Sequence, residues 1–228
     1  MGVPMAARDE VLARIRSALG RSPAAGGAPA GDRVPRGYRS GTGLDTAALI
    51  SLLTERLRDY GSVVRRCPPD GVLAAVGEAL ADRGAHRIVV PPGLDLPGLD
   101  PASPGGDPVV PGLAGVTLLA GDGLSPGALD AADGVITAAA LAIAETGTIV
   151  LDGGPGQGRR ALSLVPDYHL CILHADQIVG IVPQALGRLA PGRPCTWISG
   201  PSATSDIELD RVQGVHGPRT LEVILIEP

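Results

Sequence analysis

Residues 62–90 read SVVRRCPPDGVLAAVGEALADRGAHRIVV, and this stretch decides the fold class. Ser62 to Arg65 forms a short strand, and Arg87-Ile88-Val89-Val90 forms a second. Between them, Pro69 to Arg83 carries Val72, Leu73, Val76 and Leu80 at helical spacing. A strand, a helix and a strand in this order build a parallel sheet, because a parallel pair needs a crossover of about a dozen residues or more. On the amino-terminal side, Thr46 to Tyr60 repeats the helical pattern through Leu49, Ile50, Leu53 and Leu57, with Asp45 placed to cap it. Ala7 to Leu19 puts Val11, Leu12, Ile15 and Leu19 on one face of an amphipathic helix that stops at Gly20. Arg21 to Gly43 is rich in Gly, Pro, Ala and Arg without a hydrophobic period, which predicts a flexible linker or extended arm. The expected organisation is therefore a helix and linker over residues 1–44 and one domain over residues 45–228.

On the carboxyl-terminal side, Pro91 to Gly115 is expected to be irregular. Val116 to Leu119, Val135 to Thr137, Thr148 to Leu151, Tyr168 to Leu173 and Thr196 to Ser199 read as strands, with short helices between them. Val179 to Leu189 reads as a helix. Leu221 to Ile226, a strongly apolar run, is expected to close the sheet. The predicted class is α/β, a mostly parallel sheet flanked by helices.

Composition supports that class and excludes several functions. Hydrophobic residues make up 44% of the 228 residues, yet Phe is absent, so Val, Leu, Ile and Ala must fill the core. Such a core suits parallel strands covered by helices. All 19 basic residues are Arg. Without Lys there is neither a Schiff-base lysine nor a Walker-type phosphate lysine. A net charge of −5, three Tyr and one Trp give neither a basic footprint nor stacking platforms, so nucleic acid is not an expected partner. Apolar stretches are broken well before about 18 residues, and Arg8, Asp9, Glu10, Arg14 and Arg16 interrupt any signal-peptide core. A cytoplasmic protein without membrane insertion is expected. Cys67, Cys171 and Cys195 are widely spaced and form no C-x-x-C pair, and His86, His169, His174 and His216 lack ligand spacing. No metal and no cofactor are expected from these patterns.

Four segments carry candidate chemistry. In Ala142-Ile143-Ala144-Glu145-Thr146-Gly147-Thr148-Ile149-Val150-Leu151, an acid, two hydroxyls and a glycine interrupt an apolar run. A carboxylate beside the core is costly and gains proton affinity on desolvation, which makes Glu145 the candidate acid, base or nucleophile. The alternative is a turn residue bonded to Thr or backbone amides. In Ser199-Gly200-Pro201-Ser202-Ala203-Thr204-Ser205-Asp206-Ile207-Glu208, Ser205 and Glu208 have capping-box spacing, so a helix is expected to start at Ser205. Free amides there, with Ser199, Ser202 and Thr204, can hold a carboxylate or phosphate. An ordinary capped turn would explain Ser205 and Glu208 alone. His216, in Gly214-Val215-His216-Gly217-Pro218-Arg219, can exchange a proton or bond a ligand near neutral pH, although a lone His in a Gly-Pro turn is more often structural. Finally, Gly156, Gly158 and Ala161 match G-x-G-x-x-A after a strand, with Asp176 about 20 residues on, which is a dinucleotide-binding pattern. Against it, Pro166 leaves room for only a short helix, and a glycine loop with Arg159 or Arg160 as an anion contact fits better. Ser202, Asp206 and His216 stand in hydrolase-triad order, but the G-x-S-x-G elbow is missing.

Read together, Ala142 to Thr148, Ser199-Gly200-Pro201-Ser202-x-Thr204-x-Asp206-Ile207-Glu208 and Gly214-x-His216-Gly217-Pro218 resemble the lactate-utilisation protein C family, or LUD domain. The resemblance covers the carboxyl-terminal half. It implies a fold like that of the NagB, ribose-5-phosphate isomerase and CoA-transferase superfamily, with the site at the strand ends. It also implies a non-redox accessory subunit of a system that oxidises L-lactate to pyruvate, whose partner subunits carry iron–sulfur centres. The implied ligand site for a small organic anion comprises Thr146, Gly147, Thr148, Arg160, Ser199, Gly200, Ser202, Thr204, Asp206 and His216. Ala203 stands where relatives carry Arg, a place that Arg219 or Arg160 would have to fill. The same superfamily suggests an alternative, an acyl-CoA or organic-acid transferase using Glu145. Dinucleotide binding through Gly156 and Gly158 is the second alternative.

Overall fold

The computed structural model describes residues 5–20, 37–96, 99, 113–204, 212–213 and 217–228. It divides into two units, Met1–Tyr38 and Arg39–Pro228. The first contains helix α1 (Met5–Ala18), whose Val11 and Ile15 are exposed.

The second unit contains the remaining elements. Helix α2 (Thr46–Asp59) starts where expected: the Asp45 carboxylate accepts from the Ala48 amide at 2.8 Å. Strand β1 (Val63–Cys67), helix α3 (Val72–Arg83) and strand β2 (Arg87–Val90) follow as the sequence predicts. Next come β3 (Thr117–Ala120), α4 (Pro126–Asp130), β4 (Gly134–Ala138), β5 (Leu141–Ile143), β6 (Thr148–Leu151) and β7 (Tyr168–His174). The chain continues through β8 (Ile178–Val179), α5 (Val182–Arg188), β9 (Thr196–Ile198), β10 (Ala203–Thr204), β11 (Val212–Gln213) and β12 (Thr220–Ile226). No helix among the described residues is long and apolar enough to cross a membrane.

The main sheet is six-stranded in the order β1-β12-β7-β4-β2-β3, and every neighbouring pair is parallel. Its strands alternate apolar side chains to two covered faces, as an all-parallel sheet must. On one face Val76, Ala79 and Leu80 of α3 pack over Ile88, Ile136, Leu170 and Ile224. On the other, Ile50, Leu53 and Leu57 of α2 meet Val64, Cys171, Leu173, Val223 and Leu225.

The structure departs from two expectations. Thr148 to Leu151 and Thr196 to Ile198 do not join the main sheet but a second one, ordered β8-β5-β6-β9, whose β5-β6 and β6-β9 pairs are antiparallel. Its inner side completes the α2 core through Ala142, Ile149 and Ile178, and its outer side is covered by α5 through Ala185. Val179 to Leu189 is not one helix: the segment first pairs with β5, and the Gly180 and Ile181 amides donate to the Gln184 side chain before α5 begins. Leu221 to Ile226 lies inside the main sheet, between β1 and β7. Burial on both faces explains its apolar run, which Glu222 alone interrupts.

Order and connection together place a gap in the main sheet. From β2 the chain moves outward to β3, whereas from β4 it moves the opposite way to β7. Ligand crevices of open α/β sheets lie outside the carboxyl ends of strands at such reversals. Pairing between β2 and β4 stops at Val89↔Val135, and the two strands separate beyond it. Gly156 fills the space: its amide donates to Pro92 O at 3.0 Å, and its carbonyl accepts from the Ala138 amide at 2.7 Å. A Cβ on Gly156 would lie 3.0 Å from Leu94 Cα and 3.1 Å from Ala138 Cβ, on a backbone with φ +70°. Gly156→Ala is therefore expected to cost about 2–4 kcal/mol, the sum of left-handed backbone strain and overpacking. A melting temperature unchanged within a degree would refute this wedge.

Candidate functional site

The turn between β5 and β6 presents Glu145, Thr146 and Gly147. Gly147 is needed there because its φ is +58° and a Cβ would lie 2.8 Å from Arg56 Cβ, so the turn sits against the end of α2. The register Ile149↔Ile198 brings Thr148 opposite Ser199. Thr146 Oγ1 and Thr148 Oγ1 are 2.7 Å apart, and Thr148 Oγ1 and Ser199 Oγ are 2.8 Å apart. Gly200 lies against Tyr60 of the same helix end. Six expected residues, Glu145, Thr146, Gly147, Thr148, Ser199 and Gly200, thus come together at one end of the second sheet.

The electrostatics differ from the expectation. Glu145 is not desolvated against the core, because Ala144 takes the buried position and the Glu145 side chain is 45% exposed and paired with Arg39. Two amide donors of the turn are also engaged, Glu145 N with Gly180 O at 3.0 Å and Gly147 N with Ala144 O at 3.4 Å. What remains is a chain of three hydroxyls, each able to donate or accept, leading from the turn to the exposed Ser199.

Ser202 stands one loop further on, its amide donating to Pro218 O at 2.8 Å. Arg160 is not part of the cluster. It lines a separate cavity of about 180 Å3 with Leu151, Gln157 and Thr196, at the other end of β6. Arg219 Nε donates to Asp167 at 2.6 Å, and this guanidinium holds the Asp167 carboxyl below its usual range. The Thr204 side chain, Asp206, His216 and the helix expected at Ser205 lie outside the described residues.

The LUD domain family matches residues 116–226, which include all three motifs quoted above. A lactate utilization protein C from Deinococcus radiodurans is 43% identical over 188 residues, covering 80% of this chain and 82% of that protein. The chain belongs to the LUD-domain family. A lactate utilization protein C from Halalkalibacterium halodurans is 40% identical over 104 residues, 42% of this chain and 45% of its own length. A solved structure of a DUF162 family protein from Deinococcus radiodurans shares the LUD-domain fold at a TM-score of 0.62 and 35% identity, covering 80% of this chain and 99% of that one.

Within the LUD domain the glycine pattern at Gly156 and Gly158 lacks the strand and helix that the dinucleotide motif requires. The strand before it, β6, is antiparallel in the second sheet, and the residues after it form only a 3-10 turn, Arg160–Ser163. A dinucleotide site needs a parallel strand feeding a helix whose amino terminus meets the pyrophosphate. The glycines serve close packing instead: a Cβ on Gly158 would lie 2.9 Å from Pro91 Cβ and would collide with Leu162 Cδ1.

A crevice of about 450 Å3 opens beside that loop at the separation of β2 and β4. Sequence reasoning missed most of its polar residues, Gln157, His174, Gln177, Arg188 and Arg193. Only the glycine loop itself signalled the place. Sequence reasoning also missed Arg39, which the Gly-rich run around it marks only as linker.

Proposed function

We propose that this LUD-domain protein is a non-redox subunit of a cytoplasmic L-lactate utilisation system, working beside iron–sulfur subunits in the oxidation of L-lactate to pyruvate and binding a small carboxylate or phosphate. The observation that carries the reading is the 43% identity with a protein named lactate utilization protein C over 82% of that protein's length. Cysteine placement supports the division of labour. Cys67 and Cys171 lie on separate strands, Cys195 precedes a third, and all three are free. An iron–sulfur cluster needs four convergent ligands, commonly thiolates. The same proposal takes residues 1–44 as a leader to the domain at 45–228 and gives the hydroxyls of Thr146, Thr148 and Ser199 a ligand contact.

Affinity capture of the full chain from cells grown on L-lactate should recover iron–sulfur proteins, and deletion of its gene should slow growth on L-lactate but not on pyruvate. Normal growth on L-lactate with no iron–sulfur protein recovered would reject the assignment.

A further inference from the structure

The crevice at the separation of β2 and β4 is distinct from the hydroxyl cluster, which lies at the far end of the hairpin formed by β5 and β6. Its floor is the segment Ala138–Ala140 after β4. Every amide of that floor is engaged, Ala138 with Gly156 O, Ala139 with Ile172 O and Ala140 with Val150 O. The floor carbonyl of Ala139 accepts from Gln177 Nε2 at 2.8 Å, while Gln177 Oε1 accepts from the His174 amide at 2.8 Å. This floor is thus fixed and offers no amide to a ligand.

Four charged side chains line the space, Asp95, Asp152, Arg188 and Arg193, together with His174. Asp152, only 14% exposed, is fully committed: one oxygen accepts from the Gly154 amide at 3.0 Å and the other from Arg193 Nη1 at 3.2 Å. Arg193 is therefore neutralised in place. Asp95 belongs to the exposed segment after β2. Arg188, at the end of α5, donates Nη1 to Asp176 O at 3.0 Å, which orients its guanidinium, and no carboxylate among the described residues pairs with it. Leu94, Leu141, Ile172 and Leu189 supply apolar wall. A crevice of this volume suits a ligand well above the size of a simple ion.

We propose that this crevice binds an organic anion, with its carboxylate or phosphate on Arg188 and its uncharged body against Leu94, Leu141 and Ile172. Arginine is the side chain suited to such oxyanions, through paired donors in one plane. The fold places the site at the reversal of strand order, and the glycine wedge at Gly156 holds it open. This inference goes beyond the lactate reading and does not depend on it.

Calorimetric titration of the full chain with acetate, hexanoate, inorganic phosphate and glycerol 3-phosphate tests the site. Hexanoate or glycerol 3-phosphate should bind at least fivefold more tightly than acetate or phosphate respectively, and the pair that responds identifies the oxyanion. Arg188→Gln should weaken that binding tenfold or more, with Arg188→Lys intermediate, while Arg58→Gln, an exposed guanidinium on α2 that does not line the crevice, leaves it within twofold. The melting temperatures of the variants, compared with that of the native chain, show that each is folded. The proposal is overturned if no probe binds the native chain, if Arg188→Gln binds as well as the native chain, or if Arg58→Gln weakens binding as much as Arg188→Gln does.

Discussion

Glu222→Ala is expected to destabilise the Arg39–Pro228 unit by about 3 kcal/mol, the lower end of the cost of removing one partner from a buried charged pair. Glu222 lies on β12 with its side chain 6% exposed, accepts from Arg65 Nε and accepts from the Tyr168 hydroxyl at 2.9 Å. Burial and the neighbouring carboxylate push the Tyr168 hydroxyl well above its ordinary range, so it remains a neutral donor. Truncation would leave that hydroxyl without its acceptor inside the sheet and free one side of Arg65. Arg65 keeps Asp82 at 2.7 Å and is itself a quarter exposed, which is why the lower end applies. In a domain of this size the loss corresponds to about 6–12 °C in melting temperature. Urea denaturation should show the shift with an unchanged slope. A loss below about 1 kcal/mol would mean that Asp82 and Glu78 take over Arg65 and that Tyr168 finds water.

The second large effect is acid lability from His169. This residue is 1% exposed, its Nε2 lies 2.7 Å from Thr137 Oγ1, and its Nδ1 has no partner. Burial pushes the imidazole down to about 4 from 6.5. Because the folded value lies below the unfolded one, the unfolded chain binds the proton first. Stability is therefore complete above pH 6.5, falls as pH drops from 6.5 toward 4, and is lost in full, about 3 kcal/mol, below that. The carboxylates held low by hydrogen bonds, Asp133, Asp167 and Glu227, act mainly below this window. Between pH 7 and 4.5 the native chain should lose about 2–3 kcal/mol in urea denaturation. The neutral variant His169→Gln should lose much less over the same interval, and parallel losses in both would clear His169 of the effect.

Both residues were hard to single out from the sequence. Glu222 interrupts the apolar run Leu221 to Ile226 in the same way that Glu145 interrupts the run before it, yet Glu222 is the buried acid and Glu145 the exposed one. A carboxylate's burial depends on whether the strand has neighbours on both sides, and that is a non-local fact. The strand–helix–strand stretch at 62–90 was legible because local periodicity and parallel-sheet burial agree there. Leu141 to Ile143 was not, since three apolar residues beside a run of alanines carry no period of their own. Thr148 to Leu151 is buried at every position, so nothing local distinguishes an antiparallel strand from a parallel one. The hydroxyl cluster was legible through glycine and Thr/Ser in short motifs. The crevice was not, because its lining is spread from Gly93 to Arg193 and converges only through strand order.

The interior position of β12 has a consequence for how the chain is made. Among the described residues β1 pairs with β12 alone, in the register Val63↔Glu222 to Cys67↔Ile226. During synthesis the ribosome therefore releases β1 long before its only neighbour exists, while β7 waits with one side open. Helix α3 and strands β2, β3 and β4 can collapse early, but the sheet joins into one piece only when Thr220–Ile226 emerges. Pairings this distant in sequence form late and slowly. The nascent LUD domain thus passes through a stage with two unpaired strand edges, the form in which a chaperone would be expected to meet it.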